Sequence, residues 1–307
     1  MSGAALARLL AGGVAIAILA AIPALDANPW VTRLRAQARE RVLYVNAYDS
    51  STHQPVANLG PEAFVVREDG ARREVLRVTP ATTPMPLAVI VDNSQAVAPA
   101  ISDLRAALTT FFAAIEGIGP VAVVSVAERP TILADYTTTR KNLLDAAGRI
   151  FHVPGSGATL LDGIVEVSKG LARRESDRAA IVAIATEYTD FSTFQYRDVL
   201  ESLKQSGASM HVIVLVNPNG SYLTDEARNR ATVLDRGPRE SGGVRMDVLT
   251  SMSFEPRLKD LAAILKHQYR VVYSRPESLI PPEKIEVSSA KQGLEVRGAP
   301  ARGQDVK

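Results

Sequence analysis

The 307-residue chain has no cysteine, four histidines, one tryptophan and only 5% aromatic residues. Without thiols there can be no disulfide, no thiolate zinc site and no cysteine nucleophile; the same absence suits an exported protein. His53, His152, His211 and His267 each stand alone, outside any metal spacing such as His-Glu-x-x-His, and read as solvated or packed side chains. Neither sign of charge is in excess. The formal net charge of +2 is too small to mark nucleic acid or an anionic membrane surface as a partner. The glycine-rich Gly155, Ser156, Gly157 is not followed by Gly-Lys-Ser/Thr, which excludes a nucleotide P-loop. Ser94 lacks a Gly-x-Ser-x-Gly elbow. An α/β hydrolase-like enzyme using Ser94 and Asp92 therefore stands only as an alternative, and it needs a histidine within hydrogen-bond reach of Ser94.

One long uncharged run is present, from Leu9 to Leu25, between Arg8 and Asp26. It contains Gly12, Gly13 and Pro23 and falls short of the ~20 apolar residues that span a bilayer comfortably. Small residues near Ala24 and Ala27 make residues 1–27 a secretory signal or, if uncleaved, an N-terminal membrane anchor. Either places the rest in the periplasm or outside the cell, touching membrane only through this segment. Residues 28–40 read as a connector and 301–307 as a flexible tail.

Apolar residues make up 46% of the chain, enough for a sizeable core. From Arg41 to Val78 the pattern has period two, as strands require, with Asp69 and Gly70 as a hairpin signal between Phe64–Val66 and Val75–Leu76. Tyr269–Tyr273, Lys284–Val287 and Leu294–Val296 are strand-like pieces near the other end. Each set alone buries too little to be stable, so residues 41–83 and 268–300 are expected to meet in one small β-sandwich-like domain.

Between them, residues 84–267 alternate strands and helices. Leu87–Val91, Val121–Val126, Ile181–Ala185 and His211–Val216 are continuous apolar runs of the kind buried on both faces. Leu143, Leu144, Ala147, Ile150 and Phe151 share one helical face; so do Leu160, Leu161, Ile164, Val165 and Leu171, and again Leu258, Leu261, Ala262 and Leu265. Residues 217–243 read as an irregular connection with one short helix. The fold class is α/β: a doubly wound, mostly parallel sheet, whose ligands bind at the carboxyl ends of its strands. Three segments converge there: Asp92, Asn93 and Ser94; Gly155 to Thr159; and Thr186 with Glu187.

The ordered segments Phe64 to Gly70, Pro86 to Asp92, Leu160 to Ile164, Glu240 to Gly243 and Tyr269 to Tyr273 resemble the von Willebrand factor A family. They resemble most the bacterial exported members in which a short β segment precedes the A domain, over about Val42 to Val296. The resemblance implies a metal-ion-dependent adhesion site at the carboxyl edge, where oxygen ligands hold a hard divalent cation and leave a position for a partner's carboxylate. Its first two ligands fall on Asp92 and Ser94, but its third falls on Ala96, which has no oxygen. Its threonine aligns with Ala158, leaving Thr159 one place late; its later aspartate falls on Glu187 and its glycine on Tyr188, with Asp190 a nearby alternative.

The expectation is a degenerate site of Asp92, Ser94, Thr159 and Glu187 with no resident cofactor, or with weakly held Mg²⁺ or Ca²⁺. Restoring hydroxyls at 96 and 158 is expected to rebuild affinity. Without metal, Asp92 is a helix N-cap. Phe191, Phe194, Tyr196 and Arg197 form an aromatic stretch just past this edge, either exposed for a protein contact or packed. The function implied is non-enzymatic recognition of a protein partner; an inert envelope protein is the bland alternative.

Overall fold

The computed structural model describes residues 38–188, 190–217, 224–276 and 280–300. The signal or anchor segment, most of the connector and the tail lie outside the described residues. Among the described residues, no helix is long and apolar enough to cross a membrane.

A six-stranded sheet forms the centre. Its strands are β5 (Leu87–Val91), β6 (Val121–Val126), β7 (Pro130–Thr137), β8 (Ala179–Thr186), β9 (Ala208–Leu215) and β10 (Arg245–Val248), in the order β10-β9-β8-β5-β6-β7. Pairing is parallel except at the edge strand β7, which runs antiparallel to β6. This is the doubly wound, von Willebrand factor A-like architecture expected.

The four apolar runs became strands because helices cover both of their faces; every residue of β5 and β8 is buried. Leu87, Val89 and Val91 face α1 (Ile101–Ala114), α2 (Arg140–Gly148) and α6 (Phe254–Lys266), while Ala88 and Ile90 face α3 (Leu160–Arg173), α4 (Tyr196–Ser206) and α5 (Asp225–Ser241). The predicted apolar faces of α3 and α6 are buried throughout. The third predicted face ends early. Because α2 stops at Gly148, Phe151 falls outside the helix and is 59% exposed.

The larger correction is α5. A 17-residue helix runs where a mostly irregular connection was expected. Thr224 caps it, its Oγ1 accepting the Ala227 N–H at 3.1 Å. Gly242 closes it at φ +76°, a left-handed conformation that a side chain would strain, with the Gly298 backbone in the way of any Cβ. Its buried stripe is Ala227, Arg230, Val233, Leu234, Gly237 and Pro238, so a charge, a glycine and a proline interrupt the apolar pattern.

The two chain ends do come together. β1 (Ala38–Asp49) pairs antiparallel with β13 (Leu294–Pro300), and β11 (Tyr269–Pro276) with β4 (Val75–Pro80), in one four-stranded sheet. β2 (Phe64–Glu68) lies between β3 (Ala71–Arg73) and β12 (Ile285–Ser289) in a second. Asp69 (φ 47°) and Gly70 (φ 83°) turn the hairpin as expected, but β2 pairs with Ala71–Arg73 rather than with Val75–Leu76, which belongs to the other sheet. The first strand also starts at Ala38, inside the expected connector. Leu43, Val45, Phe64, Val66, Val271 and Tyr273 form a core of their own between these sheets. Even so, Arg39 onward falls in one compact unit, not two.

The chain crosses between the terminal sheets and the central one at residues 81–86 and again at 267–268. Arg178, buried just before β8, holds both crossings. Its Nε donates to Gln268 Oε1 (2.7 Å), and its terminal nitrogens donate to the carbonyls of Thr83 (2.8 Å), Ala81 (3.1 Å) and Leu265 (2.9 Å). The Gln268 and Leu265 bonds are buried and those to Ala81 and Thr83 part-buried, and each buried acceptor stripped of its donor costs about 1–3 kcal/mol. Arg178→Ala is therefore expected to lower unfolding stability by about 3 kcal/mol or more, read from the urea midpoint. A loss below about 1 kcal/mol would show that the crossings hold without this clamp.

Candidate functional site

The carboxyl ends of β5, β6 and β8 lie side by side because these strands are neighbours in the sheet. Backbone bonds stitch their loops together. Val153 N–H donates to Asn93 O (2.9 Å), Thr159 N–H to Val126 O (3.0 Å) and Phe191 N–H to Ala158 O (2.8 Å). Gly157 lets the third loop close: a Cβ there would lie 1.9 Å from the Phe191 ring.

Asp92, at the end of β5, is buried. Its Oδ1 accepts the Ser94 N–H at 3.0 Å, and its Oδ2 accepts the Thr186 hydroxyl at 2.8 Å and the Thr186 N–H at 3.3 Å. Asp190, in the loop after β8, is buried as well. Its Oδ2 accepts the Leu160 N–H at 3.1 Å, capping α3 from outside that helix, and its Oδ1 accepts the Ser192 N–H at 2.9 Å. Between the two carboxylates lies the guanidinium of Arg230, from the middle of α5 and only 2% exposed. One terminal nitrogen donates to Asp190 Oδ2 at 2.9 Å; the other donates to Asp92 Oδ2 at 3.1 Å and to the Thr186 carbonyl. Thr159 Oγ1 is buried with no hydrogen-bond partner among the described residues, and the buried Ser94 hydroxyl lies beside the Asp92 carboxylate.

Asp92, Ser94, Thr159 and Glu187 all follow strands or precede a helix at the carboxyl edge, but the Glu187 carboxylate turns away from Asp92. The Glu187 carboxylate accepts the Asn217 N–H (3.2 Å) and lies 3.6 Å from Arg245, on the β9–β10 side. Asp190, three residues later, is the carboxylate that meets Asp92 through Arg230. The turn at Glu187 and Tyr188 displaces the match: Tyr188 N–H donates back to Thr186 O at 3.0 Å, so the loop reaches Asp92 only after it. Asp92 closes a turn onto Ser94 rather than capping a regular helix; a 3-10 segment, Gln95–Ala100, follows. Thr159 is the N-cap residue of α3, but its hydroxyl makes no capping bond.

Arg230 was the residue missed. It lies 138 positions from Asp92, and its only sequence signal is a charge on the buried stripe of a helix far longer than the short one expected there. The aromatic stretch divides. Phe194 and Tyr196 pack against the core on the α3–α5 side, whereas Phe191 is 62% exposed. Of the histidines, buried His211 reaches Ser209 Oγ (3.2 Å) and His267 reaches Ala263 O (2.8 Å).

No family model and no curated protein matches the sequence. Solved structures with a similar layout include a von Willebrand factor type A protein from Catenulispora acidiphila, 11% identical, covering 86% of this chain and 72% of that one, at a TM-score of 0.46. Another is the conserved hypothetical protein BatB from Bacteroides thetaiotaomicron, 10% identical, covering 59% and 99%, at 0.44. A third is an aerotolerance-related membrane protein from Bacteroides fragilis, 14% identical, covering 58% and 98%, at 0.43. Several of the similar structures are described as von Willebrand factor A domains, all at low identity, and the fold assignment itself rests on the strand order given above.

Burial raises the pKa of Asp92, but the Arg230 guanidinium, the Ser94 N–H and hydroxyl and the Thr186 hydroxyl outweigh it and hold the carboxyl below its ordinary 3.8. A carboxyl whose pKa is lower folded than unfolded adds stability above the unfolded value and loses it as the pH falls through the folded one. Asp92→Asn should cost about 3–5 kcal/mol at neutral pH, the usual result of breaking a buried ion pair. It should also flatten the decline in stability below about pH 5. Urea unfolding of both proteins across that range tests this; parallel pH curves would mean that Asp92 does not carry the acid sensitivity.

Proposed function

We propose that this chain is an exported, non-enzymatic recognition module that binds a protein partner through the loops at the carboxyl edge of the central sheet. One observation carries the reading. Phe151, Tyr188, Phe191, Leu249 and Met252 are large apolar side chains, 56% to 80% exposed, on loops that follow α2, β8 and β10 at that edge. Apolar side chains clustered on loops over a rigid sheet are typical of contact surfaces. The hydrolase alternative is disfavoured by Ser94 itself, whose hydroxyl is fully buried and meets no histidine among the described residues.

A photo-crosslinking amino acid at Phe191 or Met252, irradiated in the native envelope, is expected to give one discrete adduct. The same probe at Ile132, 66% exposed on β7, is expected to give none. Equal labelling at Ile132, or no adduct from the rim, counts against this surface. For export, mass spectrometry of envelope-purified protein is expected to find a mature N-terminus between about Leu25 and Asn28. Finding Met1 or Ser2 in membrane pellets would establish a retained anchor instead.

A further inference from the structure

We infer that the Arg230 guanidinium takes the place of the divalent cation at this edge, so that the site binds no metal ion while Arg230 is present. The inference rests on the geometry of the edge and not on the identity or existence of a protein partner.

Three observations converge. First, the two buried carboxylates that could hold a cation, Asp92 and Asp190, are both bonded to Arg230, at 3.1 and 2.9 Å. A guanidinium offers a planar fork of donors, and here the fork spans both acids and the Thr186 carbonyl. A divalent ion on the same oxygens would face a fixed positive charge within contact distance, in a setting where burial amplifies repulsion. Second, Thr159 Oγ1 is buried and unpaired among the described residues, and the buried Ser94 hydroxyl lies beside the Asp92 carboxylate. Neutral hydroxyl oxygens beside carboxylates are the donors a hard cation takes; a guanidinium, which only donates hydrogen bonds from N–H groups, has reached neither. The edge therefore keeps part of an oxygen set that its present cation leaves unused. Third, Arg230 cannot leave easily. It lies mid-helix on α5, which is capped by Thr224 at one end and closed by Gly242 at the other.

The expected repair therefore changes. Restoring the hydroxyl at Ala96 should gain nothing while Arg230 remains, because the guanidinium and not a missing oxygen excludes the ion. Removing the guanidinium should leave Asp92, Asp190, Ser94 and Thr159 facing one space and open them to Mg²⁺ or Mn²⁺.

The test uses the full chain, with calorimetric titration and thermal unfolding in EDTA or Mn²⁺. The unaltered protein should show no saturable Mn²⁺ heat and the same Tm in both conditions. Ala96→Ser should behave identically. Arg230→Ser should have a lower Tm in EDTA, regain much of it in Mn²⁺, and bind Mn²⁺ saturably unless Asp92→Asn is added. Should Arg230→Ser not fold in EDTA, recovery on refolding with Mn²⁺ supports the inference, and failure with Mn²⁺ as well overturns it. Saturable, Asp92-dependent binding by the unaltered protein overturns it too. So does a gain from Ala96→Ser alone, or a folded Arg230→Ser variant indifferent to Mn²⁺.

Discussion

Two carboxylates buried side by side at a strand edge must be compensated, and the loop structure at this edge follows from how that is done. The desolvation of each ion costs several kcal/mol even after relaxation. Arg230 supplies one positive charge against the two of Asp92 and Asp190, and the residual negative charge is shared by oriented backbone. Asp190 receives the Leu160 N–H at the start of α3, where the helix dipole favours an anion, and Asp92 receives the Ser94 and Thr186 N–H groups. The network joins the ends of β5 and β8 to α3 and α5, elements far apart in sequence. Removing one member would strand the others as uncompensated charge, the costly way to break such a cluster.

That rigidity bears on recognition. Phe191 is tied to the network through its neighbour Asp190 and through its own N–H to Ala158, with its ring seated over Gly157. A rim held in place before contact loses less entropy on binding than one that must order itself. At the opposite end of the sheet, Arg178 makes a comparable anchor from backbone carbonyls and Gln268, without a carboxylate. One end of the sheet is fixed by the Arg230 network; the other fixes the terminal β sheets.

Much of the fold was legible because burial leaves a pattern. β5, β6, β8 and β9 are covered on both faces, so they read as unbroken apolar runs. β7 and β10 were not, because an edge strand with no fully buried residue and a four-residue strand carry weak signals. The meeting of the two chain ends followed from the marginal size of each. The site was legible only in its local half. Asp92, Ser94 and Thr159 lie next to strand and helix ends that the pattern marks. Asp190 was displaced from its expected place by a turn, and Arg230 hid its own helix: a charged residue on the core stripe weakens the very periodicity by which α5 would be recognised.

The proposed role of Arg230 as the compensating cation also bears on what such an edge can recognise. A bound divalent cation is both a compensating charge and an electrophile with a coordination position left for a partner's carboxylate. A guanidinium supplies only the first. Arg230 is 2% exposed, and its terminal nitrogens are committed to Asp190, Asp92 and Thr186 O. Its interior charge is spent on the protein's own acids, so an incoming carboxylate cannot reach this guanidinium. For the proposed protein contact, affinity would then come from apolar contact and shape at the rim, where Phe151, Tyr188, Phe191, Leu249 and Met252 stand exposed. Recognition of that kind is insensitive to the concentration of divalent ions, and the compensating charge, being covalently attached, is present whenever the protein is folded.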